Sequence, residues 1–301
     1  MRNKVAQTIY FCDSSCNLLC KIDPQTEQRT KIVAYPDKDS ICSPTVDPAD
    51  GKIYYNNYNR KNDLQHLTRI DPKRKTIEQI GLLSDREEEW YTLCMIDDRL
   101  HALIDSGNLS LAVVSVAPKS AAQTPVADFG SLYLALEIPD TPGAFVSFCP
   151  PIYDPTTRGL ILHIISYTPS EEEWLVRLDL VSQRIIVGDK LKRSQSHFCG
   201  FFLKDGVLAG ALESRHGVEF RTIDPMNLTF ETLIGQIPPV LSFNGNLCYD
   251  EATQKGFFLM DNLKYKAYDP SYAIGTYDFR SREFRQLPTP SENLDPFVMF
   301  Y

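Results

Sequence analysis

The sequence has no long hydrophobic run: no stretch approaches the roughly 20 apolar residues that a membrane-spanning helix needs, so no helical anchor is expected. It also has no excess of positive charge. Lys and Arg number 31 against 39 Asp and Glu, a formal net charge of −8. That balance argues against a nucleic-acid partner, which requires a basic face, and at most steers cationic ligands. Residues 1–13 contain Arg2 and Lys4 but no apolar segment, so no secretory signal is expected. With no signal, the eight cysteines read as reduced thiols of a cytoplasmic chain. None of them forms a CxxC pair, which speaks against a zinc ribbon or a thioredoxin-like motif. There is no GxSxG, no P-loop and no glycine-rich dinucleotide turn, and the five histidines form no HxH or HExxH pair. No residue constellation names a reaction, and no cofactor or metal is expected.

What is present is a repeat. Leu19-Cys20-Lys21-Ile22-Asp23-Pro24, Thr68-Arg69-Ile70-Asp71-Pro72, Val176-Arg177-Leu178-Asp179, Thr222-Ile223-Asp224-Pro225 and Gly275-Thr276-Tyr277-Asp278 each run a short strand pattern into an Asp-led turn. The gaps between these Asp residues are 48, 108, 45 and 54, and the long gap holds a degenerate copy at Leu109 to Val116. A period near 50 residues with almost no helical signal indicates an all-β, six-bladed β-propeller occupying 1–301 as one domain. The wrap-around is informative. Residues 296–301 form a strand pattern with nothing after it, and Gln7 to Cys12 a second-strand pattern with nothing before it. One blade is therefore expected to draw strands from both ends of the chain, which removes two sheet edges. Ala117 to Ala127, rich in Ala, Pro and Ser, reads as a loop, and no helix of any length is expected.

The turns that begin with Asp are short. The segments at the other ends of the strands look long: Asn56 to Gln65, Ser84 to Tyr91, Pro139 to Phe145, Ser166 to Trp174, Lys190 to His197, Glu213 to Val218 and Asp261 to Ala273. Binding is expected there, because long loops cost little stability and carry sites on a rigid scaffold. The candidate contacts are Arg60, Glu87, Glu88, Trp90, Tyr91, Glu172, Trp174, His197, Arg215 and Tyr268. Both tryptophans of the chain follow glutamate runs, 87–89 and 171–173. Such a pairing suits a cationic group or a basic peptide. The competing reading is that the glutamates are solvated and each indole packs between blades. Cys42, Cys149 and Cys199 occupy matching inner-strand positions, where blades two and five carry Thr92 and Gly245. They read as small packing residues, or else as a thiol cluster for a soft metal. Cys12, Cys16 and Cys20 share one hairpin and offer part of a zinc site or simple cross-strand neighbours. His101 and His163 lie in second-strand patterns and read as structural, whereas His197 and His216 fall among the candidate loops.

The strand-Asp-Pro-turn copies resemble six-bladed propellers broadly, the group that holds NHL-type, YWTD-type and SMP-30/gluconolactonase-like proteins. The paired glycines of kelch repeats and the Gly-His and Trp-Asp pairs of WD40 repeats are absent. The gluconolactonase-like resemblance implies a divalent ion, of Ca²⁺ type, held by carboxylates and Asn near inner-strand starts. Glu89, Asn244, Asn246 and Asp295 are the matching positions. Two functions follow as expectations: a non-catalytic module that recognises a protein or peptide partner, the first choice, and a metal-dependent hydrolase or lactonase.

Overall fold

The structure is a computed structural model. It describes residues 8–13, 18–35, 40–59, 62, 64–85, 90–106, 110–138, 146–148, 151–166, 172–192, 197–239, 243–261, 272–287 and 296–300. The fold is a six-bladed β-propeller made of six antiparallel sheets. Blade A contains β1 (Ile9–Asp13), β2 (Leu18–Ile22) and β3 (Arg29–Ala34). Blade B contains β4 (Ser40–Val46), β5 (Ile53–Asn59), β6 (Leu64–Asp71) and β7 (Thr76–Ser84). Blade C contains β8 (Trp90–Ile96), β9 (Arg99–Asp105), β10 (Ser110–Val116) and β11 (Gln123–Ser131), followed by the single helical turn α1 (Leu132–Ala135). Blade D has a split first strand, β12 (Val146–Phe148) and β13 (Ile152–Asp154), then β14 (Gly159–Ser166), β15 (Glu172–Asp179) and β16 (Arg184–Lys192). Blade E comprises β17 (His197–Lys204), β18 (Val207–Ser214), β19 (Gly217–Asp224) and β20 (Thr229–Ile237). Blade F comprises β21 (Phe243–Asp250), β22 (Lys255–Asp261), β23 (Tyr272–Asp278) and β24 (Glu283–Gln286). The last strand, β25 (Pro296–Phe300), returns to blade A and pairs with β1, giving the order β25-β1-β2-β3. Tyr10 lies opposite Phe300 and Phe11 opposite Met299, as the wrap-around pattern predicts.

One turn recurs, although blades C and E close their first hairpins with the two-residue turns Asp97-Asp98 and Asp205-Gly206. At Asp23, Asp47, Asp71, Asp154, Asp179, Asp224, Asp250 and Asp278 the chain reverses, and the residue four positions on is left-handed: Glu27, Gly51, Lys75, Arg158, Gln183, Leu228, Gln254 and Arg282, with φ from 52° to 72°. The N–H of that residue donates back to the carbonyl of the Asp in the turns at Asp23, Asp47 and Asp278. Asp is the right residue because its carboxylate captures the N–H groups inside the turn. Asp179 accepts from Val181 and Ser182, both at 2.9 Å, and Asp23, Asp71 and Asp278 do the same one turn apiece. The degenerate copy has Ala117 in this position. It keeps the geometry, with Ala121 at φ 59°, but closes by backbone bonds from Ser120 and Ala121 to the Ala117 carbonyl.

The described chain divides into two compact units, one of Met1–Tyr35, Leu191–Asp224 and Thr229–Tyr301, the other of Pro36–Lys190 and Pro225–Leu228. In the first, blades E and F pack through Phe202, Phe220, Tyr249, Phe258 and Tyr277, with Phe279 against them. Blades A and F share Ile9, Phe11, Cys20 and Ile22 with Phe257, Leu259 and Ile274. In the second, blades B and C meet through Tyr54, Leu67 and Leu83 against Tyr91, Leu93 and Val114. Blades C and D meet through Leu103, Leu111 and Val113 against Leu162, Ile164, Trp174 and Val176. Strand alternation lets each sheet present an apolar face to its neighbour.

Three expectations need correction. Residues 117–127 are not one loop: Gln123 opens β11, an edge strand that tolerates Pro125 because its outward side needs no N–H. A helical turn does occur, at α1. Several connections opposite the Asp turns are shorter than they read, because the strands run further into them. β5 and β6 leave only 60–63 between them, β15 starts at Glu172, and 213–218 is a tight hairpin with Arg215 and His216 at its tip.

Candidate functional site

In blade D the glutamate run divides by strand alternation. Glu172 and Trp174 share one face, on which Lys190 pairs with Glu172 and places its Nζ 5.5 Å from the centre of the Trp174 ring. Glu173 points to the other face, where its Oε2 lies 3.1 Å from His163 Nε2 and both side chains are fully buried. The indole of Trp174 is 5% exposed and belongs to the core between blades C and D. Its assignment as a partner contact is therefore corrected: an indole packed into the core, with Lys190 over its ring, has no free face to offer. Glu172 remains half-buried in an ion pair.

Tyr91 is corrected for the same reason. Its ring is buried between blades B and C, and its hydroxyl donates to Gln123 Oε1 at 3.2 Å. Around it runs a polar network that sequence reading missed. Asn56 Nδ2 donates to Gln65 Oε1 at 2.6 Å and to the Tyr91 carbonyl at 3.0 Å. The Tyr91 N–H donates to the same Gln65 oxygen, and Gln123 donates to the Leu83 carbonyl. Asn56 and Gln65 sit in strands, and nothing in their spacing announces a network between sheets.

Blade E keeps its candidates at the surface. His197 opens β17 opposite Glu213 on β18, and the β18–β19 hairpin carries Arg215 and His216 exposed at its tip, with Arg215 Nε donating to His216 Nε2 at 3.0 Å. Below them the Cys199 thiol donates to the His197 carbonyl at 3.4 Å and lies 4.0 Å from Glu213 Oε2. Cys199 is the extra residue of a β-bulge, since Phe198 pairs with Leu212 and Gly200 with Ala211. Two other first strands also slip, whereas β8 keeps register with β9 through Thr92. β4 slips between Cys42 and Thr45, and β21 between Phe243 and Leu247, a stretch that includes Gly245. Cys199 and Gly245 thus fall in bulges, devices that bend a strand, and Cys42 borders one, whereas Cys149 lies outside the described residues.

Of the hairpin thiols Cys16 lies outside the described residues, and Cys12 and Cys20 do not face each other. Cys20 is opposite Phe11 and Cys12 opposite Leu19, which sends the two sulfurs to opposite faces of blade A. Burial pushes the Cys94 thiol up to about 12 and the Cys248 thiol higher still, so neither ionises in the physiological range. Among the described residues, no three His, Cys, Asp or Glu side chains are grouped so as to hold a metal. Asn244 and Asn246 lie within the bulged part of β21. Arg60, Glu87, Glu88, Glu89, Tyr268 and Asp295 lie outside the described residues, and Trp90 is described only as the first residue of β8.

No protein-family model matches this sequence, and no curated protein matches it. Solved structures do. TolB from Acinetobacter baumannii aligns with a TM-score of 0.61 and 13% identity over 97% of this chain and 65% of its own, so this chain spans about two thirds of TolB. A chain of a Nidogen/Laminin complex aligns with a TM-score of 0.61 and 8% identity over 97% of both chains. A putative 6-phosphogluconolactonase from Bacteroides fragilis NCTC 9343 gives 0.52 and 12% over 99% of this chain and 98% of its own. At such identities the likeness is one of fold alone.

Proposed function

We propose that the chain is a non-catalytic interaction module that binds a protein or peptide partner through the connections opposite the Asp turns. The observation that carries this reading is the β18–β19 hairpin. It holds Arg215 and His216 in solvent, beside a strand pair that carries His197 and Cys199 on β17 and Glu213 on β18. A rigid strand pair that displays a planar guanidinium at its tip suits recognition of carboxylates or backbone carbonyls on another chain. The net charge of −8 favours a partner with a basic surface overall, with Arg215 as a local point of opposite sign. A propeller of similar fold occurs in the Nidogen/Laminin complex, a protein–protein assembly.

The test is site-specific crosslinking. A photoreactive residue in place of Arg215 is expected to trap one discrete partner, and the same residue in place of Lys119, on a turn at the Asp-turn end of blade C, is expected not to. Equal capture at both positions would reject the assignment of the surface. In a binding assay with the trapped partner, Arg215→Glu is expected to weaken affinity by about tenfold or more, as removal of one charge-assisted contact does.

A further inference from the structure

The β6–β7 turn carries Lys73-Arg74-Lys75, the one run of three consecutive basic residues in an acidic chain. At its base is a cleft of about 230 Å³ lined by Lys52, Arg69, Asp71, Arg74, Thr76 and Glu78. Register explains the grouping. Thr76 is opposite Asp71, and Glu78 is opposite Arg69, so the four side chains stand in two rows on one face of blade B. Lys52 reaches them from the chain just before β5.

The carboxylates of this group are already engaged. Glu78 pairs with Arg69, and Asp50 pairs with Lys52. Asp71 accepts the backbone N–H groups of Lys73 and Arg74 at 3.0 and 2.9 Å. Arg74 is held least: its Nε is 3.8 Å from Asp71 and its side chain is 83% exposed. With Asp50 included, three cations face three carboxylates, and the excess of positive charge comes from Lys73 and Lys75 at the exposed tip. The volume falls below that of ordinary small-molecule pockets and suits a tetrahedral oxyanion with a few waters.

We propose that this cleft is an oxyanion site that takes a phosphoryl group, with Arg74 and Lys52 supplying charge and the Thr76 hydroxyl a neutral donor. Arg74 closes over the anion, since its planar fork donates two parallel bonds to such a group. Lys52 and Arg69 stay anchored by Asp50 and Glu78 and supply a preset field. The phosphoryl group can arrive as a free anion or on a phosphorylated side chain of a peptide.

Two titrations of the full chain separate these sources. Inorganic phosphate is followed by phosphorus NMR, and a phosphoserine peptide, beside its unphosphorylated form, by fluorescence anisotropy. Saturable binding in at least one arm is expected, lost on raising salt. Arg74→Glu and Lys52→Met are each expected to weaken it by about tenfold or more, and Lys119→Glu, in the corresponding turn of blade C, to leave it unchanged. Response to the peptide alone assigns the group to a phosphorylated chain, and response to both assigns it to the anion itself. Absence of saturation in both arms, or binding that survives both substitutions in variants with unchanged melting temperature, overturns the proposal.

Discussion

A single glutamate joins two blades of the first unit. Glu27, on the β2–β3 turn, accepts Lys255 Nζ at 2.7 Å and also pairs with Arg285, although these partners lie 228 and 258 positions away in sequence. Its side chain is 11% exposed and that of Lys255 15%, so this pair is shielded from solvent more than an ordinary surface bridge, whereas Arg285 is 60% exposed. Its backbone is left-handed as well, at φ 58°. Glu27→Gln keeps the shape but removes the charge, and leaves Lys255 half-buried against a neutral amide. The expected loss is about 1–3 kcal/mol, read as a lower urea midpoint at unchanged slope. A midpoint equal to that of the unaltered chain would show that the clasp contributes nothing. The core gives the complementary case: Trp174→Ala is expected to cost about 3–5 kcal/mol, because it opens a cavity between blades C and D. A loss below 1 kcal/mol would restore the indole as a surface contact.

The recurrent turn is where sequence and structure correspond most directly. An Asp followed four residues later by a left-handed residue needs only local chemistry, so the repeat could be read one strand at a time. The backbone N–H groups of Ser182 and Val181 hold the carboxyl of Asp179 below its ordinary range, and the same cause acts at Asp23 and Asp71. For a group whose folded pKa is depressed, the stabilisation is present above the unfolded value near 4 and is lost as pH falls through the folded value. Melting temperature is therefore expected to hold steady from pH 7 to about 5 and to drop below about 4. The turn at Ala117 provides the converse test. Its backbone is already in place without a carboxylate, so Ala117→Asp is expected to raise stability by about 0.5–1 kcal/mol, measured by chemical denaturation. No gain there would mean that the side-chain bonds are incidental to the turn. What the sequence hid lies between elements. Tyr91 and Trp174 carry polar neighbours in sequence, yet packing between sheets decides their exposure. The pairing of His163 with Glu173 depends on a diagonal across two strands that only register reveals.

At the scale of the molecule, the count of six blades and the sharing of blade A by residues from both ends were legible, because each followed from period and from unpaired strand patterns. The candidate surface was legible only in part. Arg215 and His197 were expected in long connections, whereas Arg215 sits at the tip of a tight hairpin and His197 opens a strand, because strand ends are set by cross-strand hydrogen bonds rather than by composition. The pairing of β25 with β1 carries a consequence for biosynthesis. The β1–β2 hairpin leaves the ribosome well before residues 296–300, and until these have been made the other edge of β1 keeps one row of amide and carbonyl groups unanswered. During that interval the nascent β1 margin is open to strands of other molecules, so a chain shortened before Pro296 is expected to partition into aggregates that a chaperone able to cover this margin would suppress.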